Sequence, residues 1–421
     1  MSMKSTNAAT TSSSLGLDFW KFWAGQTISN LGSAFTNFAL PLLVFKITHS
    51  ALNLALITAL TLLPYLLFGL VIGAWMDRLD RKRVMIITDI LRAALIASIP
   101  LLDSIHLLFI WWFYVVAFVY SILTIFFDAG QFAAIASLVR QDDLVKANGR
   151  IQASYAAVSV IGPLLAGLLL AFIAIAPILL VDSASFLISA LSLSLIRISF
   201  NVDENKEQEK KSIRQDVVDG LRYVFGHPVL RAISVMMALV NLVAFTTNAQ
   251  IVLFAQFQFQ ANDTQIGILY AAAGLGPAVL SLMAGLLRKH WSFSKVALGT
   301  LMLYGLSIVT LSLIHWYWAG VFLWGLIWGL SILFNINTTS LRQSMVPNQM
   351  LGRVMTTATV LGWSAIPLGT IIGGIVIEQV KNVTLVYGVI GLLIFMIALA
   401  FTFTALGHAE QYLPQEKTAL Q

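Results

Sequence analysis

Gly73-Ala74-Trp75-Met76-Asp77-Arg78-Leu79-Asp80-Arg81-Lys82-Arg83 decides the reading of this chain, because six of the seven positions 77–83 are charged. Apolar runs flank it at roughly 51–76 and 84–101. About 20 apolar residues cross the ~30 Å hydrocarbon layer as a helix. The stretch therefore reads as a tight, basic turn between two membrane spans. Working outward, ten more such runs stand at roughly 19–45, 106–128, 151–174, 177–198, 229–257, 264–287, 294–314, 317–339, 355–377 and 383–405. Lipid offers the backbone no hydrogen-bond partner, so all twelve are expected as helices. The run 84–101 is short and the run 229–257 is long.

Composition agrees. Of 421 residues, 58% are hydrophobic and 10% charged, against about 25% charged in ordinary soluble domains. The mean hydropathy is +0.86. So little charge cannot cover a water-facing surface, which argues against a soluble enzyme, a nucleic-acid binder or a disordered chain. There is no cysteine, hence no disulfide framework or thiolate chemistry.

The net charge of +6 is explained by position. Numbering the connections alternately, one side carries 22 of the 25 Lys and Arg residues. Lys46 and Lys381 fall on the other side, and Arg92 lies inside the third span. By the positive-inside bias, both termini are expected in the cytoplasm of a multi-pass protein of the bacterial inner membrane. The Ser/Thr-rich leader lacks a signal-peptide pattern, so a retained first helix is expected. The expected organisation is a cytoplasmic tail 1–18, a six-helix bundle 19–198, a cytoplasmic linker 199–228, a second six-helix bundle 229–405, and a cytoplasmic tail 406–421. In the linker, Ile213, Val217, Leu221 and Val224 recur at helical spacing. That fits an amphipathic helix on the membrane surface or a solvated linker helix.

The halves repeat weakly. Asn148-Gly149-Arg150 precedes a span containing Gly162-Pro163 and Gly167. Leu351-Gly352-Arg353 precedes one containing Pro367, Gly369, Gly373 and Gly374. The two arginines are 203 residues apart and the two prolines 204. Matching Gly/Pro-interrupted helices mark repeat-built transporters.

The opening stretch resembles the loop signature of the major facilitator superfamily, Gly-x-Leu-Ala-Asp-Arg-x-Gly-Arg-Lys. Gly73, Asp77, Arg78, Arg81 and Lys82 match, while Trp75 and Asp80 depart from it. With Asp89-x-x-Arg92, Asp142-Asp143-Leu144, Asp182 and Gly352-Arg353-Val354, the chain is similar to the branch of macrolide-efflux proteins and the enterobactin exporter. The resemblance implies an all-α membrane fold of twelve transmembrane helices in two pseudo-symmetric six-helix bundles. It also implies a conformational latch of Gly73, Asp77, Arg78, Arg81 and Asp128, with Asp128 expected at the end of span 4. The basic residues of that loop would in any case enforce orientation. Gly162, Pro163 and Gly167 match an antiporter motif in part, with Val158 and Ala166 at its other glycine positions. They fit either export or simple helix packing.

Ionisable residues inside spans are functional candidates. Asp89 and Arg92, three apart on one helix face, are expected to pair. Asp182, with no basic neighbour within a turn, is a proton-coupling candidate or a hydrogen-bonded residue of an outer vestibule. Asp89 and Arg92 stand beside it as further proton-coupling candidates. Glu378 is expected as a solvated anchor.

Neutral polar side chains concentrate in spans 1, 7 and 10. The resemblance places these spans around a central cavity. Gln26, Asn30, Asn37, Asn241, Asn248 and Asn335 are candidate substrate contacts or, alternatively, helix–helix hydrogen bonds. Trp324, Trp328 and Trp363 are candidate aromatic walls. No phosphate-binding loop or metal-ligand spacing is visible, and the six histidines fall at loops and interfaces. No cofactor, metal, nucleotide or nucleic-acid partner is therefore expected, and no enzymatic activity. The expected partners are a small-molecule substrate, protons and membrane lipid. The expectation is proton-coupled efflux of an amphiphilic or lipophilic small molecule, such as a macrolide or a siderophore-like metabolite. Uptake of a neutral nutrient, or a non-transporting scaffold or sensor, is the alternative.

Overall fold

The computed structural model describes residues 15–76, 78–140, 143–201 and 213–412. Among these the chain forms sixteen α-helices and a closing 3-10 segment, with no strand. Twelve spans are long and apolar enough to cross a membrane.

The first half comprises α1 (Leu17–Thr48), α2 (Ala51–Met76), α3 (Arg81–Ser104), α4 (Ile110–Leu138), α5 (Leu144–Leu169) and α6 (Ile175–Ser194). A bridging helix, α7 (Ile213–Gly226), leads to the second half. There α8 (Pro228–Ala249) and α9 (Ile251–Phe259) form one span, and α10 (Asp263–Ser281) is followed by the short α11 (Ala284–His290). Then come α12 (Phe293–Leu313), α13 (Tyr317–Met345), the pair α14 (Asn348–Trp363) and α15 (Ala365–Val380), and α16 (Val383–Phe401).

Several boundaries differ from the sequence expectation for local reasons. Span 4 does not stop at Asp128. Residues 129–138 contain no proline, and the helix runs on until Val139 turns extended. Span 10 likewise continues to Met345 and ends where Val346, extended, precedes Pro347. Span 7 breaks at Gln250, whose φ of −106° and ψ of 12° leave the helical region. Span 11 breaks at Ser364. Pro367 has no amide hydrogen to offer the carbonyl four residues back, at Trp363, and its ring crowds that carbonyl. Residues Ala405–Tyr412 are not a loose tail. Leu406 and Ala409 are fully buried, and Glu410 accepts hydrogen bonds from the Ser294 backbone (3.0 Å) and hydroxyl (2.7 Å) at the start of α12.

The two halves meet along two related seams. In one, α5 packs on α10, and a Cβ on Gly167 would lie 3.1 Å from the Gly267 Cα. In the other, α15 packs on α2, and a Cβ on Gly374 would lie 2.4 Å from the Ala55 Cβ. Only glycine permits backbones this close. Polar clasps reinforce these ends. Lys46 pairs with Asp263 at 2.5 Å. Glu378 is not a free anchor: it accepts from the Ser50 hydroxyl (3.1 Å) and the Leu52 amide (3.3 Å), capping α2 of the other half. Gln250, fully buried, donates to the Ala51 carbonyl at 2.7 Å. All these contacts lie at the sparsely charged end of the spans. Toward the basic end, Leu67 and Trp75 of α2 are 54% and 56% exposed.

Candidate functional site

Two cavities lie side by side near mid-span. The first, about 250 Å³, belongs to the first half and is polar. Gln26, Asn30 and Asn37 reach it from α1, Arg92 from α3, and Asp128 from α4, with Tyr65 and Tyr120 completing the wall. The second, about 340 Å³, belongs to the second half, with Asn241, Asn248 and Asn335 in its lining. Phe245, Tyr304, Trp324, Trp328, Phe334 and Trp363 supply aromatic faces, and no Asp, Glu, Lys or Arg lines it. Thr61 and Leu62, consecutive on α2, line one cavity each.

The α1 contacts share a face because Asn30 and Asn37 are seven residues, nearly two turns, apart. Gln26, while bordering the cavity, also donates to Ser189 of α6 at 3.0 Å, and Gly25 and Gly32 of α1 admit Ser192 and Ser185 of α6. In the second half, Asn241 donates to the Gly362 carbonyl at 2.9 Å, and Asn335 donates to Ser331 one turn back at 2.9 Å. Both amides thus serve helix backbones while still bordering the cavity.

Arg92 pairs with Asp89, and both are buried. Its guanidinium lies 4.2 Å from the Phe127 ring centroid and 4.5 Å from that of Phe186. A buried charge needs such compensation: a paired carboxylate plus two ring faces. Asp182 sits behind the cavity wall, not in an outer vestibule. It is 0% exposed, because α6 begins at Ile175 and carries it seven residues inward against α1. Three hydroxyls donate to it: Thr36 at 2.5 Å, Ser185 at 3.1 Å and Ser33 at 3.4 Å. Ser33 borders the cavity and in turn accepts from Tyr120 at 3.4 Å. Asp182 is therefore linked to the cavity through two hydroxyls.

Asp128 is ten residues short of the end of α4, and it accepts a hydrogen bond from Tyr65 at 3.3 Å. Arg81 donates to the Phe200 carbonyl at 3.3 Å, and Lys82 donates to the Ile196 carbonyl. Both cations thus satisfy carbonyls just beyond α6, where positive charge is favoured. Arg78 is exposed, and a Cβ on Gly73 would meet open space rather than a neighbouring helix. Asp77 lies outside the described residues. Asp80, which departs from the family pattern, caps α3 by accepting from the Arg83 amide at 3.1 Å. Of the antiporter-motif residues, Gly162 admits Ala34 of α1, and Gly167 and the Pro163 carbonyl touch Gly267 of α10.

Sequence reading missed Ser33, Tyr65, Tyr120 and Arg342. The hydroxyls lay in apolar runs that hid them. Arg342 fell outside span 10 as first bounded. In the longer α13 it is 3% exposed, with a guanidinium nitrogen 2.7 Å from the Met237 sulfur.

A sequence model of the Major Facilitator Superfamily matches residues 22–370. The chain belongs to the major facilitator superfamily. Among its relatives within that superfamily is macrolide efflux protein A of Streptococcus pyogenes, 26% identical over 368 residues, covering 86% of this chain and 90% of the relative. The multidrug efflux pump Tap of Mycolicibacterium fortuitum is 26% identical over 365 residues, covering 82% and 85%. The crystal structure of the nucleoside transporter NupG superposes with a TM-score of 0.73 at 13% identity, covering 92% of this chain and 98% of that one. A bacterial homologue of the iron transporter ferroportin, in an inward-facing state, gives 0.72 at 17% identity, covering 93% and 100%. At those identities the two structures speak for the fold alone. This member is thus a twelve-span transporter of the superfamily, built from two pseudo-symmetric six-helix bundles.

Proposed function

We propose that this transporter exports an amphiphilic or lipophilic small molecule from a bacterial cell in exchange for protons, by alternating access. The observation that carries the reading is the second-half cavity, lined by six aromatic side chains and asparagines without a charge. Such a wall favours dispersion and apolar burial over ion pairing. The efflux names of the two relatives, at 26% identity over most of both chains, support the direction and the substrate class. The basic loops belong in the cytoplasm by the positive-inside bias. With the halves closed at the opposite end, the cavities would open inward, ready to load a cytoplasmic or membrane-dissolved substrate.

Gln26, Asn30 and Asn37 would meet the substrate from one side, and Asn241, Asn248 and Asn335 from the other. Asp182 would carry the proton, reached from the cavity through Tyr120 and Ser33. Arg92, held by Asp89, would set the local potential. Asp77, Arg78, Arg81 and Asp128 would form the latch only in the opposite state, with the halves closed at the basic end. Gly162, Pro163 and Gly167 would shape α5 at the moving seam. One proton moving inward across 100 mV supplies about 2.3 kcal/mol, enough for roughly fiftyfold accumulation.

The test is flux in proteoliposomes under an imposed proton gradient, using a macrolide and a lipophilic dye. Gradient-driven movement that collapses with an uncoupler is the expected result. Substrate movement indifferent to the gradient would remove proton exchange. No movement of any compound in a broad panel would remove drug export.

A further inference from the structure

Arg342 stands in the last turn of α13, at the basic end of the span, where an arginine ordinarily stretches out to the headgroups. This one turns inward and is 3% exposed. A guanidinium nitrogen lies 2.7 Å from the Met237 sulfur of α8. Among the described residues no carboxylate pairs with it, no carbonyl accepts from it, and its Nε has no hydrogen-bond partner. Ser234, three residues before Met237 and on the same side of α8, likewise holds a buried hydroxyl without a partner. A buried cation is costly unless paired, and a thioether is only a weak acceptor. Such charges inside a span mark the path of a transported species.

The path is close by. Met237 lines the aromatic cavity of the second half, nearer the basic end of α8 than any other residue in that lining. On α13, Arg342 lies seven residues beyond Asn335, nearly two turns along the same face and a rise of about 10 Å. The cation therefore stands behind Met237, at the basic end of a cavity whose wall carries no charge. An unbranched thioether repacks readily. Gly362 of α14 leaves room for it to do so: a Cβ there would lie 3.6 Å from the Met237 Cβ and 3.7 Å from its Cε, ordinary contact distances.

We propose, resting on lipophile export through the second-half cavity, that Arg342 is the anion subsite of that cavity, screened by Met237, and takes the carboxylate of an amphiphilic substrate. Phe245, Trp328 and Trp363 hold the apolar body, and the planar guanidinium meets the carboxylate at two points once Met237 swings aside. With Met237 in place, a neutral lipophile meets a wholly uncharged wall. An uncharged cavity alone would hold an acid no better than its ester.

The test is equilibrium binding to the detergent-purified full chain at neutral pH, using a lipophilic dye that bears one carboxylate and the methyl ester of the same dye. Flux of both in proteoliposomes under a proton gradient follows. The unaltered chain should bind the acid about tenfold more tightly than the ester, the scale of a hydrogen-bonded charge. Arg342→Gln should erase this preference and leave ester binding nearly unchanged, and Arg342→Lys, which keeps the charge, should retain part of it. Met237→Ala removes the screen with Arg342 intact and should widen the preference. Each readout is a ratio of two ligands on one variant, which a purely structural role for Arg342 would not move. Binding and movement of the ester with no preference for the acid would overturn the anion subsite and leave lipophile export standing. A preference that survives in Arg342→Gln, or an unchanged ratio in Met237→Ala, would also overturn it. If neither compound binds or moves, both the subsite and lipophile export fall.

Discussion

Thr36 on α1 donates its hydroxyl hydrogen to Asp182 on α6 at 2.5 Å, inside a seam where Asp182 is fully buried. The carboxylate answers to α1, the helix that also presents Asn30 and Asn37 to the cavity. A change of charge on Asp182 therefore bears directly on the helix that borders the cavity.

Asp182→Asn removes the titratable proton and keeps nearly the same shape. Gradient-driven export should fall at least roughly tenfold, the scale of a lost proton-transfer group, while equilibrium binding of the substrate changes less than about twofold. Full retention of gradient-driven flux would remove Asp182 from the coupling mechanism.

Trp363 and Trp324 border the same cavity with different burial, 47% against 2% exposed. Trp363→Ala should raise the KM for an aromatic or lipophilic substrate about two- to tenfold, the worth of an aromatic contact, and leave thermal stability nearly unchanged. Trp324→Ala should destabilise the fold by about 3–5 kcal/mol. Transport assays and thermal unfolding in detergent separate the two effects.

The Lys46–Asp263 pair spans the two halves and is partly exposed, its side chains 43% and 24% accessible. Such a pair is worth roughly 0–1 kcal/mol and is weakened by salt. Lys46→Met should shift the closed-to-open ratio at that end by up to about fivefold. Distances between spin labels on α1 and α10 would record it, and raising ionic strength in the unaltered chain should mimic it. The exchanged pair Lys46→Asp/Asp263→Lys should restore the closed population; failure to do so would mean the contact is not ionic in effect.

Glu410 lies outside the spans. Burial raises its affinity for a proton, but the hydrogen bonds from Ser294 outweigh burial and hold its carboxyl below the ordinary glutamate value. A depressed folded value stabilises the fold above the unfolded value of about 4.5, and that contribution disappears as pH falls through the folded value. The melting temperature in detergent should therefore drop on going from about pH 6 to about pH 4, and by less in Glu410→Gln. An equal drop in both would deny Glu410 this role.

The twelve spans and their two-half grouping were legible because hydropathy and the alternation of basic loops are integrated over many residues. The Asp89–Arg92 pair was legible because it is local, three residues apart on one helix. The setting of Asp182 was not, since its three hydroxyl donors are Ser185 on its own helix and Ser33 and Thr36 on α1, brought close only by packing. Arg342 was not legible as a buried residue because the end of α13 is set by Val346 and Pro347 rather than by the loss of hydropathy at 339. Glu378 looked like an isolated terminal charge, yet its partners Ser50 and Leu52 lie more than three hundred positions away. Asp128 shows the limit of reading one helix alone: its place was taken from a span boundary, and the helix ran past it.

Where Gly167 meets Gly267, backbone lies against backbone. Beside it the Thr264 hydroxyl of α10 donates to the Gly167 carbonyl at 3.0 Å, a small polar clasp next to bare main chain. Surfaces that interlock must unpick rotamers before they part, whereas bare main chain can roll and slip with little friction. The junction behaves as a plain bearing, and the resistance to motion is left to the few polar clasps around it.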